Sequence, residues 1–337
     1  MRKGKKPDQF NAKNERIKVK YRIHVRRVGK KDEKTIIAAL KHIRDFEIFI
    51  DFQGYEAFNE NVADKYIQGM FNDDLSLSYI NDNLRSLREF LTWLERQRGY
   101  RSKINYNHID YLNLSRNQLR TAKATEYVRA YKYDQIIEAI RNMPDKSVRE
   151  RRDKAIVSLN ALCTLRISEL RTVKLKSLIE EDGICFIYVT PKSMKAKFAK
   201  TRQAVFVPLP DDIKANVLNW RDHLVSIGFK DSDPLFPVIK NTFNTLNLLE
   251  ANLKNREIRS DTTIRSIFRK CFESAGFEYL HPHSFRHTLS RYAQTKSPQF
   301  LNAVRQNLGQ RSIDTTLNSY GQLSQHDQRC AISETAY

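Results

Sequence analysis

The chain lacks the signatures of several common chemistries. Its four cysteines, Cys163, Cys185, Cys271 and Cys330, lie far apart. None forms a C-x-x-C pair and no histidine stands at zinc-finger spacing from one, so they read as reduced thiols and no metal site is expected. There is no G-x-x-x-x-G-K-[ST], which removes support for nucleotide hydrolysis. No apolar run approaches the roughly 20 residues that span a bilayer. The segment MRKGKKPDQF is basic without an apolar h-region, which argues against a secretory signal and for an intracellular protein. No internal repeat is visible, and no low-complexity segment beyond the basic N-terminus. Acidic residues are few: 39 Asp and Glu face 59 Lys and Arg, a formal net charge of +20. That excess favours a polyanionic partner, most simply nucleic acid, with an acidic membrane surface as the competing reading.

What is present suffices for two domains, since 337 residues can bury two ordinary cores. Residues 1–33 form a basic N-terminal arm containing Arg26 and Arg27. Within it IKVKYRIHVRRV (residues 17–28) alternates apolar and basic, which predicts a short strand, an arm that orders on DNA, or a solvated tail. Residues 34–115 read as a helical domain. Ile36, Leu40, Ile43, Phe46 and Ile50 follow helical spacing, and Asn81 to Gly99 repeats it with Leu84, Leu87, Leu91 and Leu94. The other face of that segment carries Arg85, Arg88, Glu95 and Arg96, a candidate DNA-contacting face. Residues 116–127 are polar and read as a linker. From 128 to 337 a second domain is expected. Asp134 is its first N-cap, a longer helix runs over Val148–Cys163, and two strands cover Ile184–Thr190 and Gln203–Leu209. The remainder from Asp211 is expected to be mostly helical.

Three stretches carry possible chemistry: TLRISEL (Thr164–Leu170), HPHSFRH (His281–His287) and LGQRSIDTTLNSYG (Leu308–Gly321). A phosphodiester gains charge as it nears a pentacovalent transition state, and forked guanidinium groups suit it. Arg166 lies between a helix and Ser168, a candidate N-cap. His283 and Arg286 are three apart, one helical face. A tyrosine hydroxyl such as that of Tyr320 is a weak nucleophile at its ordinary pKa of about 10 and needs nearby positive charge or a base. A lysine of the basic turn, Lys192, Lys195, Lys197 or Lys200, can protonate a leaving 5′-hydroxyl if neighbouring cations lower its pKa. Taken singly, each arginine is ordinarily an ion-pairing surface residue, and Tyr320 is one of 15 tyrosines.

Taken together, Arg166 in TLRISEL, His283 and Arg286 in HPHSFRHT, and Tyr320 in LGQRSIDTTLNSYG resemble the motifs of the tyrosine recombinase (phage-integrase) family. The order, the intervals and the β-hairpin between the first two motifs match, over most of residues 128–325. The helical 34–115 region is similar, more faintly, to the family's core-binding domain. The implied fold is mainly α with a small antiparallel β-sheet, an α+β catalytic domain preceded by an all-α core-binding domain.

The resemblance implies a role for each matching residue. Arg166 and Arg286 would clamp the scissile phosphate, His283 would assist as acid/base and hydrogen-bond donor, and Tyr320 would form a 3′-phosphotyrosyl link. Glu169 would support the site, and it also fits a helix N-terminal acid favoured by the dipole. KFAKTR (Lys197–Arg202) is similar to the family's K-x-x-K-x-R pattern, which assigns Lys197 as the general acid, with Lys200 second. Two departures stand out. Gln310 occupies the place of a His or Trp and cannot carry a proton or charge, and Tyr320 lies one residue further from it than in the commonest members.

The implied activity is site-specific DNA strand cleavage and rejoining by transesterification, with no cofactor. The implied partners are double-stranded DNA with inverted core half-sites, a homotetramer on that DNA and accessory directionality factors, acting in the cytoplasm at the nucleoid. The alternatives are a type IB topoisomerase-like or telomere-resolving enzyme, and a catalytically weakened DNA-binding relative.

Overall fold

The computed structural model describes residues 10–123, 128–191, 194, 201–243 and 249–310, and the chain divides into two compact units, residues 1–124 and 125–337. It is mainly α-helical, with small antiparallel sheets in the second unit. Among the described residues no helix is long and apolar enough to cross a membrane.

The first unit begins with α1 (Ala12–Arg27), followed by α2 (Glu33–Phe49), α3 (Glu60–Asn72), α4 (Leu77–Glu95), the short α5 (Tyr106–Ile109) and α6 (Arg116–Lys123). Helix α1 corrects the strand-or-arm reading of residues 17–28. The alternating apolar residues there divide between two faces of a helix. Ile17, Tyr21 and Val25, four apart, are buried, whereas Val19 and Ile23 stay exposed. Tertiary packing decides the matter. Tyr21 meets Phe90 edge-on at 5.1 Å and also packs on Trp93, and Lys18 forms a buried ion pair with Glu47 of α2. Burial of three such side chains contributes about 1.5–3 kcal/mol each. Helix α1 is therefore built into the core of this unit rather than being a detached arm.

Asp32 caps α2 through Thr35 N at 2.9 Å. In α4 the expected leucines, Leu84, Leu87, Leu91 and Leu94, face the core. Helix α6 corrects the linker reading of residues 116–123: it packs on α4, with Leu119 against the core.

The second unit contains α7 (Tyr133–Arg141), α8 (Val148–Cys163), α9 (Ile167–Thr172), β1 (Leu178–Glu181), β2 (Ile184–Val189), β3 (Arg202–Val205) and α10 (Asp211–Ser226). It continues with β4 (Pro237–Phe243), β5 (Leu249–Glu257), α11 (Asp261–Ser274), α12 (Ser284–Gln294) and α13 (Pro298–Leu308). Helix α8 is buried on nearly every side from Ala155 to Cys163, the mark of a central helix. A reciprocal capping box starts it: Ser147 Oγ accepts from Glu150 N, and Glu150 Oε2 accepts from Ser147 N.

Two expected caps move. Lys132 rather than Asp134 precedes α7, where Gln135 Oε1 accepts from Lys132 N. Arg166 rather than Ser168 is the N-cap of α9. In both, the longer Gln or Glu side chain at the third helical position reaches back to the cap N–H, and the shorter polar residue falls inside the first turn.

Strands β1, β2 and β3 form an antiparallel sheet in that order, with Leu178 opposite Ile187 and Val189 opposite Arg202. Among the described residues after Asp211 the chain is mostly helical as expected, in α10 to α13, with one exception, the β4–β5 hairpin, where Ile239 lies opposite Leu253. Leu246, Leu249 and Leu253 also fit a three-to-four spacing in sequence, so periodicity alone does not separate the two forms. Ile239 is buried and its neighbour Lys240 exposed, the alternation of a half-buried strand.

Candidate active site

The site is assembled on the second unit's core. Phe285, between His283 and Arg286 in sequence, points inward and meets Phe268 at 5.4 Å and Phe272 at 5.9 Å, both edge-on. Tyr131 stacks on Phe272 at 3.9 Å. Its hydroxyl donates to Glu278 O and accepts from Leu280 N, and its own carbonyl accepts from Thr288 Oγ1. The approach to HPHSFRH and the first turns of α12 are thus tied to one aromatic cluster.

Arg286 draws the separated motifs together. It is 1 % exposed. Its Nη1 donates to Thr164 O at 2.8 Å and its Nη2 donates to Leu308 O. Thr164 ends α8 in the left-handed region, at φ 47°, two residues before Arg166. For a β-branched residue that conformation costs about 1–2 kcal/mol, and the Arg286 bond helps to hold it. Leu308 ends α13, two residues before Gln310. Three stretches far apart in sequence therefore converge on one guanidinium.

Glu169 is the second hub and is fully buried. Its carboxylate accepts from Arg166 N at 2.9 Å and from Arg166 Nη1 at 3.0 Å. It also accepts both terminal nitrogens of Arg202, at 3.0 and 2.7 Å. Arg202 Nε donates to Asn307 O at 2.9 Å, and the Asn307 side chain pairs both ways with the Val205 backbone. Strand β3, the start of α9 and the end of α13 are locked together by side chains.

His283 is the N-cap residue of α12, three before Arg286, and its ring keeps access to solvent. Its pKa is pushed down to about 4, first by the protein atoms crowding it, then by the like charges of Arg286, His287, His281 and Arg166. The influence of both Arg286 and Arg166 puts the three groups in one neighbourhood. Gln310 is half-buried, its backbone N–H donating to Arg305 O. Lys192, Lys195, Lys197, Lys200 and Tyr320 lie outside the described residues. The structure thus brings Arg166, Glu169, His283 and Arg286 together, with α13 delivering Gln310 to the same end of the unit. Chemically, the cluster offers an anion the partly exposed Arg166 guanidinium and a neutral imidazole, with the positive charge of the buried Arg286 beside them.

Sequence reasoning passed over Arg202, Asn307 and Tyr131. For Arg202 a signal existed, because it closes the KFAKTR pattern from which only a lysine was carried forward.

On the first unit, Arg27, Arg85 and Arg88 line one concavity of about 880 Å³ between α1 and α4, together with Lys20, Arg96 and Trp93. Arg26 is not among the lining residues and pairs with Glu33. Arg85 pairs with Asp82 at 2.9 Å.

The model of the Phage integrase family matches residues 126–326. Over 287 residues the chain is 25% identical to a tyrosine recombinase XerC of Lactobacillus delbrueckii subsp. bulgaricus, covering 84% of this chain and 86% of that one. Among solved structures it is similar to a lambda integrase(75-356) dimer bound to a COC' core site, with a TM-score of 0.61 at 13% identity, covering 92% of this chain and 97% of that one. It is also similar to the XerH site-specific recombinase bound to a palindromic difH substrate, with a TM-score of 0.58 at 15% identity, covering 93% and 75%.

Proposed function

The chain belongs to the phage integrase family, and from that premise we propose that it is a site-specific DNA recombinase acting by transesterification. The observation that carries the reading is the Arg286 guanidinium, bonded at once to Thr164 O beside Arg166 and to Leu308 O beside Gln310.

In this mechanism Arg166 and Arg286 bind the non-bridging oxygens of the scissile phosphate. The Tyr320 hydroxyl attacks phosphorus and its proton passes to His283, which is neutral at physiological pH. The phosphorus–5′-oxygen bond breaks and Lys197 protonates the leaving oxygen. A 3′-phosphotyrosyl link conserves the bond energy until a 5′-hydroxyl of a partner strand attacks it, reversing each proton transfer. Fixed cations stabilise the added charge of the transition state. Gln310 donates a hydrogen bond, and Glu169 holds Arg166 in place.

DNA passes the concavity of the first unit, where Arg27, Arg85 and Arg88 meet phosphates, with Arg26 at its margin. The lambda integrase structure is a dimer bound to a core site, and another lambda integrase structure is a tetramer bound to a Holliday junction. By likeness to them we assign this chain inverted core half-sites and a tetrameric synapse inside the cell, with directionality set by accessory factors.

The test is a nicked suicide duplex carrying the target site. Wild-type protein is expected to form an adduct with it that survives SDS, and Tyr320→Phe to abolish the adduct while leaving DNA affinity nearly intact. An adduct formed by the Phe variant would remove Tyr320 as nucleophile. Capture of two duplexes in one complex separates recombination from relaxation by rotation.

A further inference from the structure

One buried anion serves two cations at this site. Arg202 gives Glu169 two guanidinium bonds, whereas Arg166 gives it one guanidinium bond and a backbone N–H. The side chains are 0 % exposed for Glu169, 7 % for Arg202 and 22 % for Arg166. The inner arginine holds the carboxylate more completely, and the outer one keeps donors facing solvent. Burial pushes the Glu169 carboxyl up, but the hydrogen bonds and charge of Arg202, then those of Arg166, outweigh it and hold the carboxyl below its ordinary value.

We propose that Arg202 is a positioning residue for the reaction: by neutralising Glu169 it leaves the charge of Arg166 available to a phosphodiester. Its Nε bond to Asn307 O aligns the end of α13 with the same carboxylate. This rests on the transesterification reading. Without Arg202, the buried carboxylate has Arg166 as its nearby cation and draws it inward. The Arg166–Glu169–Arg202 group then changes from a net single positive charge to neutral. A residue that merely fastened β3 to α13 would have no such effect, because that link runs through Asn307 and not through Glu169.

The experiment compares full-length Arg202→Met, Glu169→Gln, the two combined, and Arg202→Lys. Adduct formation on the nicked duplex, DNA affinity and thermal melting are read for each. Arg202→Met is expected to slow adduct formation roughly 10²-fold, the scale of a misplaced clamp. DNA affinity should change by less than about twofold, since one phosphate contact among many is a small share of binding. Adding Glu169→Gln should return about tenfold of the lost rate, because the carboxylate that captures Arg166 is gone. The Arg202→Met rate should also recover relative to wild type as pH falls and Glu169 takes up a proton. Arg202→Lys should be intermediate, as it keeps the charge but not both carboxylate bonds.

A second readout needs no turnover. Inorganic phosphate titrated into the full chain should shift the Arg166 Nε–H resonance in wild type, less in Arg202→Met and Arg202→Lys, and more again once Glu169→Gln is added. Should Arg202→Met fail to fold, Arg202→Gln with and without Glu169→Gln makes the same comparison. A combined variant as slow and as unresponsive to phosphate as its parent overturns the proposal. If wild type forms no adduct, transesterification fails as a reading, and the phosphate titration still decides how Arg202, Glu169 and Arg166 are coupled.

Discussion

Gly309→Ala tests the joint that delivers Gln310 to the site. Gly309 ends α13 at φ 66°, and an L-residue with a Cβ pays about 1 kcal/mol or slightly more to sit there. The added Cβ would also lie 3.0 Å from Arg202 Cδ. That methylene has little freedom, because Arg202 is held to Glu169 and to Asn307 O at 2.7–3.0 Å. A retreat of a few tenths of an ångström weakens three charge-assisted bonds that are each worth about 1.5–3 kcal/mol when lost outright. Partial loosening of all three adds about 1–2 kcal/mol on that scale, for a total near 2–3 kcal/mol. Urea unfolding followed by Trp220 in a Trp93→Phe background isolates the second unit, since Trp93 lies in the first. Gly309→Asn enters the left-handed region more easily, so it should cost only the crowding part. In an Arg202→Ala background Gly309→Ala should cost only the conformational part, about 1 kcal/mol. Strict additivity, a coupling under about 0.3–0.5 kcal/mol, would refute the contact.

Three further outcomes follow from buried and crowded charges. His283, with its pKa pushed from 6.5 to about 4, binds fewer protons in the folded chain than in the unfolded one between those values. Its contribution to stability therefore falls as pH drops through that window, and His283→Gln should flatten that part of the profile. The phosphate proposed to lie between Arg166 and Arg286 would raise the same pKa, so cognate DNA binding near pH 6 should take up a proton in wild type and not in His283→Gln. Calorimetry in buffers of different ionisation heat reads this, and equal uptake in both proteins would exclude His283 as its source. In the first unit, Lys18→Met leaves the fully buried Glu47 with Arg44 at 3.6 Å as the remaining cation in its ion-pair set. It should cost about 3 kcal/mol, read through Trp93 in urea, whereas removing both charges should cost much less. A loss below about 1 kcal/mol, the range of exposed pairs, would mean that the pair is open to solvent.

Much of this molecule was legible in one dimension. Helix α8 spans the Val148–Cys163 expected from the sequence, and the leucines of α4 follow from their spacing. These are local patterns, satisfied within a few turns of chain. The hairpin of β2 and β3 was legible for the same reason. Residues 17–28 were not, because Ile17, Val19, Tyr21, Ile23 and Val25 satisfy a strand period and a helix period at once. Only the presence of Phe90, Trp93 and Glu47 on neighbouring helices selects the helix. The β4–β5 hairpin was missed for the converse reason, leucines whose spacing also suits a helix.

The sequence by itself determined the motifs that carry Arg166, His283, Arg286 and Tyr320, and their likeness to those of the phage integrase family is what proposes these residues for a phosphodiester. Their identities and order are written in the chain, and side-chain chemistry needs no fold to be recognised. What only the tertiary structure decided is how those residues are held. The Arg286 bonds reach 122 residues back and 22 forward, and the Arg202 bonds reach 33 back and 105 forward. A guanidinium can join backbone carbonyls or a carboxylate on any segments that a core brings within about 3 Å. Such partnerships leave no periodicity in the sequence: the KFAKTR pattern includes Arg202, but its pairing with Arg166 emerged only once α9, β3 and α13 were packed around Glu169.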